Sequence, residues 1–129
     1  MTRLLLDTHI LLSLVQGTVL RRSPRLARLL ATDAIEAHAS VASLWEIAIK
    51  TRLGKLDLAV PLEVLAGYFE TVGLVILSIN RQHAVAWVEP EPATRDPFDR
   101  MLLAQCKVEG LRLVTLDHAL AEHPLTWRA

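Results

Sequence analysis

Short apolar runs alternate along the whole chain with longer segments of helical periodicity. The apolar runs are bounded by turn residues, which predicts strands at about residues 2–6, 36–40, 73–79 and 111–117, with a further short strand near 125–128. The run 73–79 is typical of a buried strand. Because strands and helices alternate, we expect an α/β fold with a parallel sheet of about four to five short strands, covered by helices on both faces.

Capping residues and helix breakers predict where the helices begin and end. Ser23 before Pro24, and Asp96 before Pro97, each match an N-cap followed by a proline in the first helical position. Asn80 is a further predicted cap, and glycines close two of the segments. Helices are therefore expected after the first strand and at about 24–32, 41–54, 61–72, 80–89 and 97–110.

The composition is that of a globular protein, since 52% of the 129 residues are hydrophobic and 22% are charged. This length is enough for one hydrophobic core, so we expect a single domain over residues 1–129. The lone Cys106 cannot form an intramolecular disulfide, which suits a reducing compartment. No apolar stretch approaches the ~18 residues of a membrane span, and Asp7 and His9 interrupt the N-terminal run. The sequence predicts a cytoplasmic protein with no membrane contact.

The charge balance gives no broad attraction to nucleic acid, because 14 basic and 14 acidic residues cancel. Two groups of basic residues are interpreted as solvated helix faces; they are Arg21, Arg22, Arg25 and Arg28, and Lys50, Arg52 and Lys55. The sequence contains no G-x-G-x-x-G turn and no phosphate-binding P-loop, so nothing supports a nucleotide cofactor.

Two aspartates come directly after predicted strands. Asp7 follows the first apolar run, and Asp117 ends the run 111–117. The carboxyl ends of parallel strands form the edge of a sheet where ligands bind. Taken alone, each aspartate is equally explained as a turn residue that caps the following segment.

Two further acids lie in predicted helices that are largely apolar. Glu46 is surrounded by apolar neighbours, and a buried carboxylate costs several kcal/mol unless it is paired or bound to a metal. A capping box from Ser43 to Glu46 is the alternative, and it would place the acid at the helix mouth. Asp99 lies in the first turn of its helix, where an acid suits the dipole, yet it shares a face with Leu102 and Cys106.

One shared site explains these four acids better than four separate caps. Carboxylates brought close together repel one another unless a cation compensates. The chain has no second cysteine and no H-E-x-x-H spacing, so Mg²⁺ or Mn²⁺ fits the oxygen ligands better than zinc. Such a site polarises a phosphoryl oxygen and activates water, which predicts hydrolysis of nucleic acid.

Other polar residues give weaker signals. Thr8 and Thr115 could orient a carboxylate or a metal-bound water, or they could only cap turns. Lys50, Arg95 and Arg100 could steady a phosphate backbone. His9 is interpreted as a helix-start residue, and the other histidines have no metal-like spacing. The tryptophans are expected in core or interface packing; they are Trp45, Trp87 and Trp127.

Four segments together resemble the PIN-domain ribonucleases, and in particular the VapC-type toxins of bacterial toxin–antitoxin pairs. They are "LLLDTHILLSL", "SVASLWEIAIKTRLGKL", "RDPFDRMLLAQC" and "LVTLDHAL", and they span nearly the whole chain in the order of the family. The resemblance implies a three-layer α/β/α fold. The residues that match the family's functional positions are the core acids Asp7, Glu46 and Asp99, the more variable acid Asp117, the hydroxyl of Thr115, and Asp96 as a cap or outer-shell acid. Similar toxins often carry tryptophan where Ser13 stands and histidine where Thr94 stands.

The resemblance also implies an activity and partners. It implies an Mg²⁺- or Mn²⁺-dependent endoribonuclease that acts on RNA, forms a homodimer, is neutralised by a cognate VapB-type antitoxin, and reaches operator DNA only through the antitoxin complex. Apolar residues at 15–19 and 61–72 are expected to contribute a partner surface. Two alternatives remain at this point: a catalytically silent PIN-like module that binds RNA or protein, and a metal-dependent phosphatase of small esters.

Overall fold

A central parallel sheet organises the chain in the computed structural model, which describes residues 1–18, 21 and 23–128. The strands are β1 (Thr2–Leu6), β2 (Ile35–Ser40), β3 (Val75–Leu77) and β4 (Arg112–Val114). Their order is β3-β2-β1-β4, and every neighbouring pair is parallel. The predicted α/β class, parallel sheet and three-layer arrangement are confirmed.

Helices connect the strands. Their bounds are α1 (Thr8–Gln16), α2 (Pro24–Leu30), α3 (Val41–Arg52), a 3₁₀ turn (Leu62–Val64) that continues into α4 (Leu65–Thr71), α5 (Arg81–Val85) and α6 (Pro97–Glu109). Ser23, Asn80 and Asp96 cap their helices through side-chain oxygens, as predicted. Gly110 ends α6 at a φ of 70°, in the left-handed region that glycine adopts without strain.

Two hydrophobic cores lie on opposite faces of the sheet. Leu4 and Leu6 contribute to one core, and Leu5 contributes to the other, because successive side chains of β1 alternate between faces. The first core is built with residues of α1, α2, α3 and α4. The second is built mainly from α6, including the buried Cys106, whose thiol pKa is raised by burial to about 12. Helices on both faces therefore bury the second half of β1, from Leu4 to Leu6.

Several sequence expectations need correction. The strand predicted at 73–79 is only three residues long and lies at the sheet edge, where Val75 is exposed rather than buried. β4 ends at Val114, so Asp117 lies beyond it. The last predicted strand is reduced to one bridge between Leu113 and Thr126. The helix predicted to run from Asn80 to residue 89 ends at Val85.

The surface also differs from the expectation. Trp45 and Trp87 are 61% and 72% exposed, so neither is core packing, whereas Trp127 packs against the first core. Arg25 and Arg28 are exposed as predicted, but Arg22 lies outside the described residues. So does residue 19 of the apolar surface expected at 15–19. Within the described part of the chain, no helix has both the length and the apolar character needed to cross a bilayer.

Candidate active site

The carboxyl edge of the sheet brings together the ends of β1 and β4. The backbone N–H of Asp7 donates to the carbonyl of Val114 at 3.0 Å, which ties the last residue of β4 to the first residue after β1. Beyond β4 the chain turns at Thr115, whose Oγ1 accepts from the N–H of Asp117 at 3.0 Å. Asp117 is exposed, and its Oδ1 accepts from the N–H of Ala119 at 2.9 Å. Two of the predicted acids are thus held at neighbouring strand ends.

Asp7 is a buried carboxylate that also caps α1. Its Oδ1 accepts from the N–H of Ile10 at 2.9 Å, and the residue is only 3% exposed. Burial raises its pKa above the ordinary 3.8, and the charge of Asp117 raises it further, against the lowering effects of Thr115, Ile10 and His9. Asp7 therefore caps α1, and its carboxylate also has a side-chain hydrogen bond with Thr115.

Glu46 is buried in the second turn of α3. The N-cap of this helix is Ser40, whose Oγ accepts from the N–H of Ala42, so the alternative of a capping box from Ser43 to Glu46 is wrong. The Oε1 of Glu46 lies 2.7 Å from the hydroxyl of Thr8, and its Oε2 accepts from Lys50 Nζ at 2.6 Å. These two partners compensate the carboxylate for its loss of hydration.

Asp99 lies in the first turn of α6 and is only partly exposed. Thr94 Oγ1 donates to its Oδ2 at 3.3 Å. Its pKa is raised from 3.8 to about 6, first by burial and then by the charges of Asp96, Asp117 and Glu46. Asp99 therefore lies within electrostatic range of two other predicted acids, Glu46 and Asp117.

The predicted acids do not form a ready-made metal cage. Among residues 1–18, 21 and 23–128, no group of three or more His, Cys, Asp or Glu side chains is positioned to hold a metal ion as it stands. Their chemistry nevertheless fits a hard divalent cation, because the donors are all carboxylate oxygens and because burial, followed by repulsion from neighbouring acids, raises the pKa of Asp7 and Asp99. A cation would relieve that repulsion.

The predicted phosphate-binding cations are placed differently from one another. Lys50 is paired with Glu46. Arg100 pairs with Glu91 at 2.6 Å, and its Nε also donates to the carbonyl of Thr94, so it holds the loop before α6. Arg95 is exposed in that loop. Of the three, Arg95 is the most readily available to a ligand.

The PIN domain family matches residues 4–124 of this sequence. The chain belongs to the PIN domain family. A search of curated proteins found no match. PIN domains are generally nucleases that use divalent metals, so membership supports nuclease activity at a coarse level.

The PIN domain also contains supporting residues that sequence reasoning missed. Ser43 is buried, and its Oγ lies 2.9 Å from the Thr8 hydroxyl that holds Glu46. Thr94 accepts from the N–H of Asp96 while donating to Asp99. Thr94 lies two residues before Asp96, a spacing typical of a turn in which a threonine hydroxyl accepts from the backbone. This spacing is the sequence signal that could have identified Thr94. The spacing of Ser43 to Glu46 predicted only a capping box and not the contact of Ser43 with Thr8.

The raised pKa of Asp99 predicts an unusual pH dependence of stability in the metal-free PIN domain. The folded protein binds this proton more tightly than the unfolded chain, so stability should fall as the pH rises from about 4 to about 6, the folded value. We expect a loss of about 1 kcal/mol, less than the full shift implies because the carboxyl is partly solvated. Thermal melting in chelator between pH 4 and pH 7.5 measures it.

Asp99→Asn should remove this part of the pH dependence, whereas Asp57→Asn, at an exposed position in the loop after α3, should leave it in place. Identical melting profiles for wild type and Asp99→Asn would contradict the assignment. Added Mg²⁺ should flatten the wild-type profile in the same way, because a cation offsets the repulsion that raises the pKa.

Proposed function

We propose that this PIN domain is an Mg²⁺- or Mn²⁺-dependent endoribonuclease. The observation that carries the proposal is that hydrogen bonds link the segments that carry three of the acids: the N–H of Asp7 donates to the last residue of β4, which Asp117 follows, and the hydroxyl of Thr8, directly after Asp7, lies 2.7 Å from Glu46. The pKa of Asp99, raised first by burial and then by neighbouring charges that include Glu46 and Asp117, supports the same placement of the fourth acid. Capping alone would not require acids from four separate elements to lie this close together. The family supplies the class of reaction, and the acids supply the ligand set.

The four acids Asp7, Glu46, Asp99 and Asp117 are the proposed metal ligands. When bound there, the cation supplies neutralisation of phosphodiester charge and activation of water. Thr115 orients Asp7 through their side-chain hydrogen bond. Asp96 caps α6 through its Oδ1, which accepts from the N–H of Phe98 at 2.8 Å, and so fixes the helix start that carries Asp99.

Thr8 and Lys50 prepare Glu46 for the same task. Thr8 fixes one carboxylate oxygen, and Lys50 neutralises the other while no metal is present. Because the Lys50 side chain is 40% exposed, it can swing into solvent and contact RNA when a cation takes its place. Arg95 is the proposed second phosphate contact, and Arg100 acts indirectly by holding the loop.

The finer role that we propose is that of a VapC-type toxin in the cytoplasm. The order of the motifs, which resembles that of these toxins, supports this role, and the role includes a homodimer, neutralisation by a VapB-type antitoxin, and contact with operator DNA only through that complex. Val64 and Val72, which are half exposed beside α4, offer apolar surface for such a partner. Induced expression in bacterial cells should stop growth, and expression of Asp7→Asn should not.

Cleavage should depend completely on the added cation. Purified protein incubated with total RNA should cut it with Mg²⁺ or Mn²⁺ and stop when a chelator is added, with the cut ends mapped by sequencing. Undiminished cleavage by rigorously metal-free protein would rule the mechanism out. Turnover of a small chromogenic phosphoester instead of RNA would favour the phosphatase, and RNA binding without any cleavage would favour the silent module.

A further inference from the structure

Two aromatic side chains meet beside the proposed active site. The rings of Trp45 and Phe98 pack edge to face, with centroids 5.6 Å apart and planes at 73°. Trp45 directly precedes Glu46 in α3, and Phe98 directly precedes Asp99 in α6. The pair therefore joins the two helices that carry these acids, with each ring one residue before an acid in the sequence.

Trp45 is 61% exposed in spite of this contact. An exposed indole leaves a large apolar surface in contact with water, and a polar side chain at the same position would not have this cost. Contact with Phe98 limits the orientations of the Trp45 ring, so less rotamer freedom remains to be lost when a flat ligand packs on the exposed part of the indole. The arrangement resembles a platform that is held ready for a planar group.

The charges around the pair match a nucleic acid strand. Arg52 is seven residues after Trp45, so it lies on the same face of α3 about 10 Å along the helix axis, and it is exposed. Arg95 is exposed in the loop that leads to Phe98. A planar apolar surface between cations is the arrangement that proteins use for single strands, where bases stack on aromatic rings and phosphates meet cations.

We propose that Trp45, supported by Phe98, stacks against an unpaired base of the RNA substrate next to the cleaved bond. This inference rests on the proposed function and deepens it, because it names Trp45 as a residue that binds a base of the substrate. Arg52 contacts a phosphate farther along the same strand.

The test measures binding without cleavage. Fluorescence anisotropy of a labelled single-stranded RNA octamer is followed in chelator, and the RNA is checked for integrity on a gel. Trp45→Ala should weaken binding by about fivefold to a hundredfold, the range found when one base loses its stacking partner. Trp45→Phe should stay within about threefold of wild type, because phenylalanine retains a stacking surface.

An octamer of the same length with abasic sugars separates stacking from charge. Trp45→Ala should leave the affinity for this octamer within about twofold, whereas Arg52→Ala should weaken binding of both octamers equally. Trp87→Ala is the matched control, because Trp87 is also exposed but lies after α5, and it should change neither affinity. An equal loss for both octamers with Trp45→Ala, or no loss, would overturn the proposal.

Sedimentation velocity of the same variants tests a different occupant of this surface. If Trp45→Ala dissociates a dimer and binding of the two octamers changes alike, the aromatic pair is a contact between copies and the proposal is wrong.

Failure of the proposed function gives a different result, since wild type would then not cut RNA with Mg²⁺ while the base-dependent binding persisted. Cleavage by wild type together with unaltered binding by Trp45→Ala would reject the stacking site alone.

Discussion

Replacement of Asp7 with asparagine should lower RNA cleavage by about a hundredfold or more while leaving the metal-free protein at least as stable as wild type. The size of the kinetic loss follows from removing one full charge where a cation must bind, which in other enzymes costs several powers of ten. Cleavage rates at saturating Mg²⁺, together with thermal melting in chelator, measure the two effects on the same preparations.

The expected stability of the Asp7→Asn variant depends on the burial of Asp7. Its pKa is raised in the folded protein, so this carboxyl group costs stability as the pH rises above 3.8, the ordinary value at which the unfolded chain ionises, and that cost is present at neutral pH. Asparagine removes that cost. It also retains the cap, because its side-chain oxygen can accept from the N–H of Ile10 as the carboxylate does.

Asp7→Ala is the matched comparison. Alanine removes the charge and the cap together, so it should be as inactive as Asp7→Asn but less stable than that variant by about 1 kcal/mol. If the carboxylate served only as a cap, Asp7→Asn would cleave RNA at nearly the wild-type rate, and an active Asp7→Asn protein would contradict the site assignment at its central residue.

The fold could be predicted from local sequence signals such as helix caps, because these depend little on tertiary contacts. Ser23, Asn80 and Asp96 are helix caps in the structure because each has a short polar side chain that satisfies backbone N–H groups wherever a helix begins. The alternation of strands and helices then allowed few arrangements other than a parallel sheet. The placement of Asp7 and Asp117 near one edge followed from that topology, since parallel strands end at one edge.

Side-chain burial was less predictable, because it depends on which elements become neighbours. The run 73–79 has the composition of a central strand, but β3 pairs only with β2 and leaves Val75 exposed. Trp45 lies in an apolar segment, yet it stays largely exposed because its contact with Phe98 of α6 covers only part of the ring. Periodicity identifies a helix face, but it does not say how much of that face a neighbour covers.

The partners of the acids were also beyond sequence reasoning. Lys50 is four residues after Glu46, a spacing that permits an ion pair on any helix, but the pair is important here because Glu46 is buried. Thr8 comes from another element 38 positions away in the sequence. A contact of that separation is set by the packing of α1 against α3, which no local pattern encodes.

Replacement of Glu46 with glutamine should lower cleavage by about a hundredfold or more with a small change in stability. Glutamine retains an oxygen for the hydroxyl of Thr8, and Lys50 can move into solvent because its side chain is 40% exposed. We therefore expect the free energy of unfolding to change by no more than about 1 kcal/mol. The loss of activity arises because the neutral amide no longer supplies charge to the cation site.

The Lys50→Ala variant tests whether Glu46 is a metal ligand or only the partner of Lys50 in a structural ion pair. In chelator, this variant leaves the buried carboxylate of Glu46 with only Thr8 as a partner, so it should be destabilised by about 1 to 2 kcal/mol. If Glu46 binds the cation, Mg²⁺ should restore most of that stability, and cleavage should fall by about tenfold at most through the weaker contact with RNA. If the ion pair is only structural, Mg²⁺ will restore nothing and Glu46→Gln will retain its activity. Thermal melting with and without Mg²⁺, together with cleavage assays of both variants, distinguishes the two cases. A cation can replace the charge of Lys50 only if the cation binds Glu46.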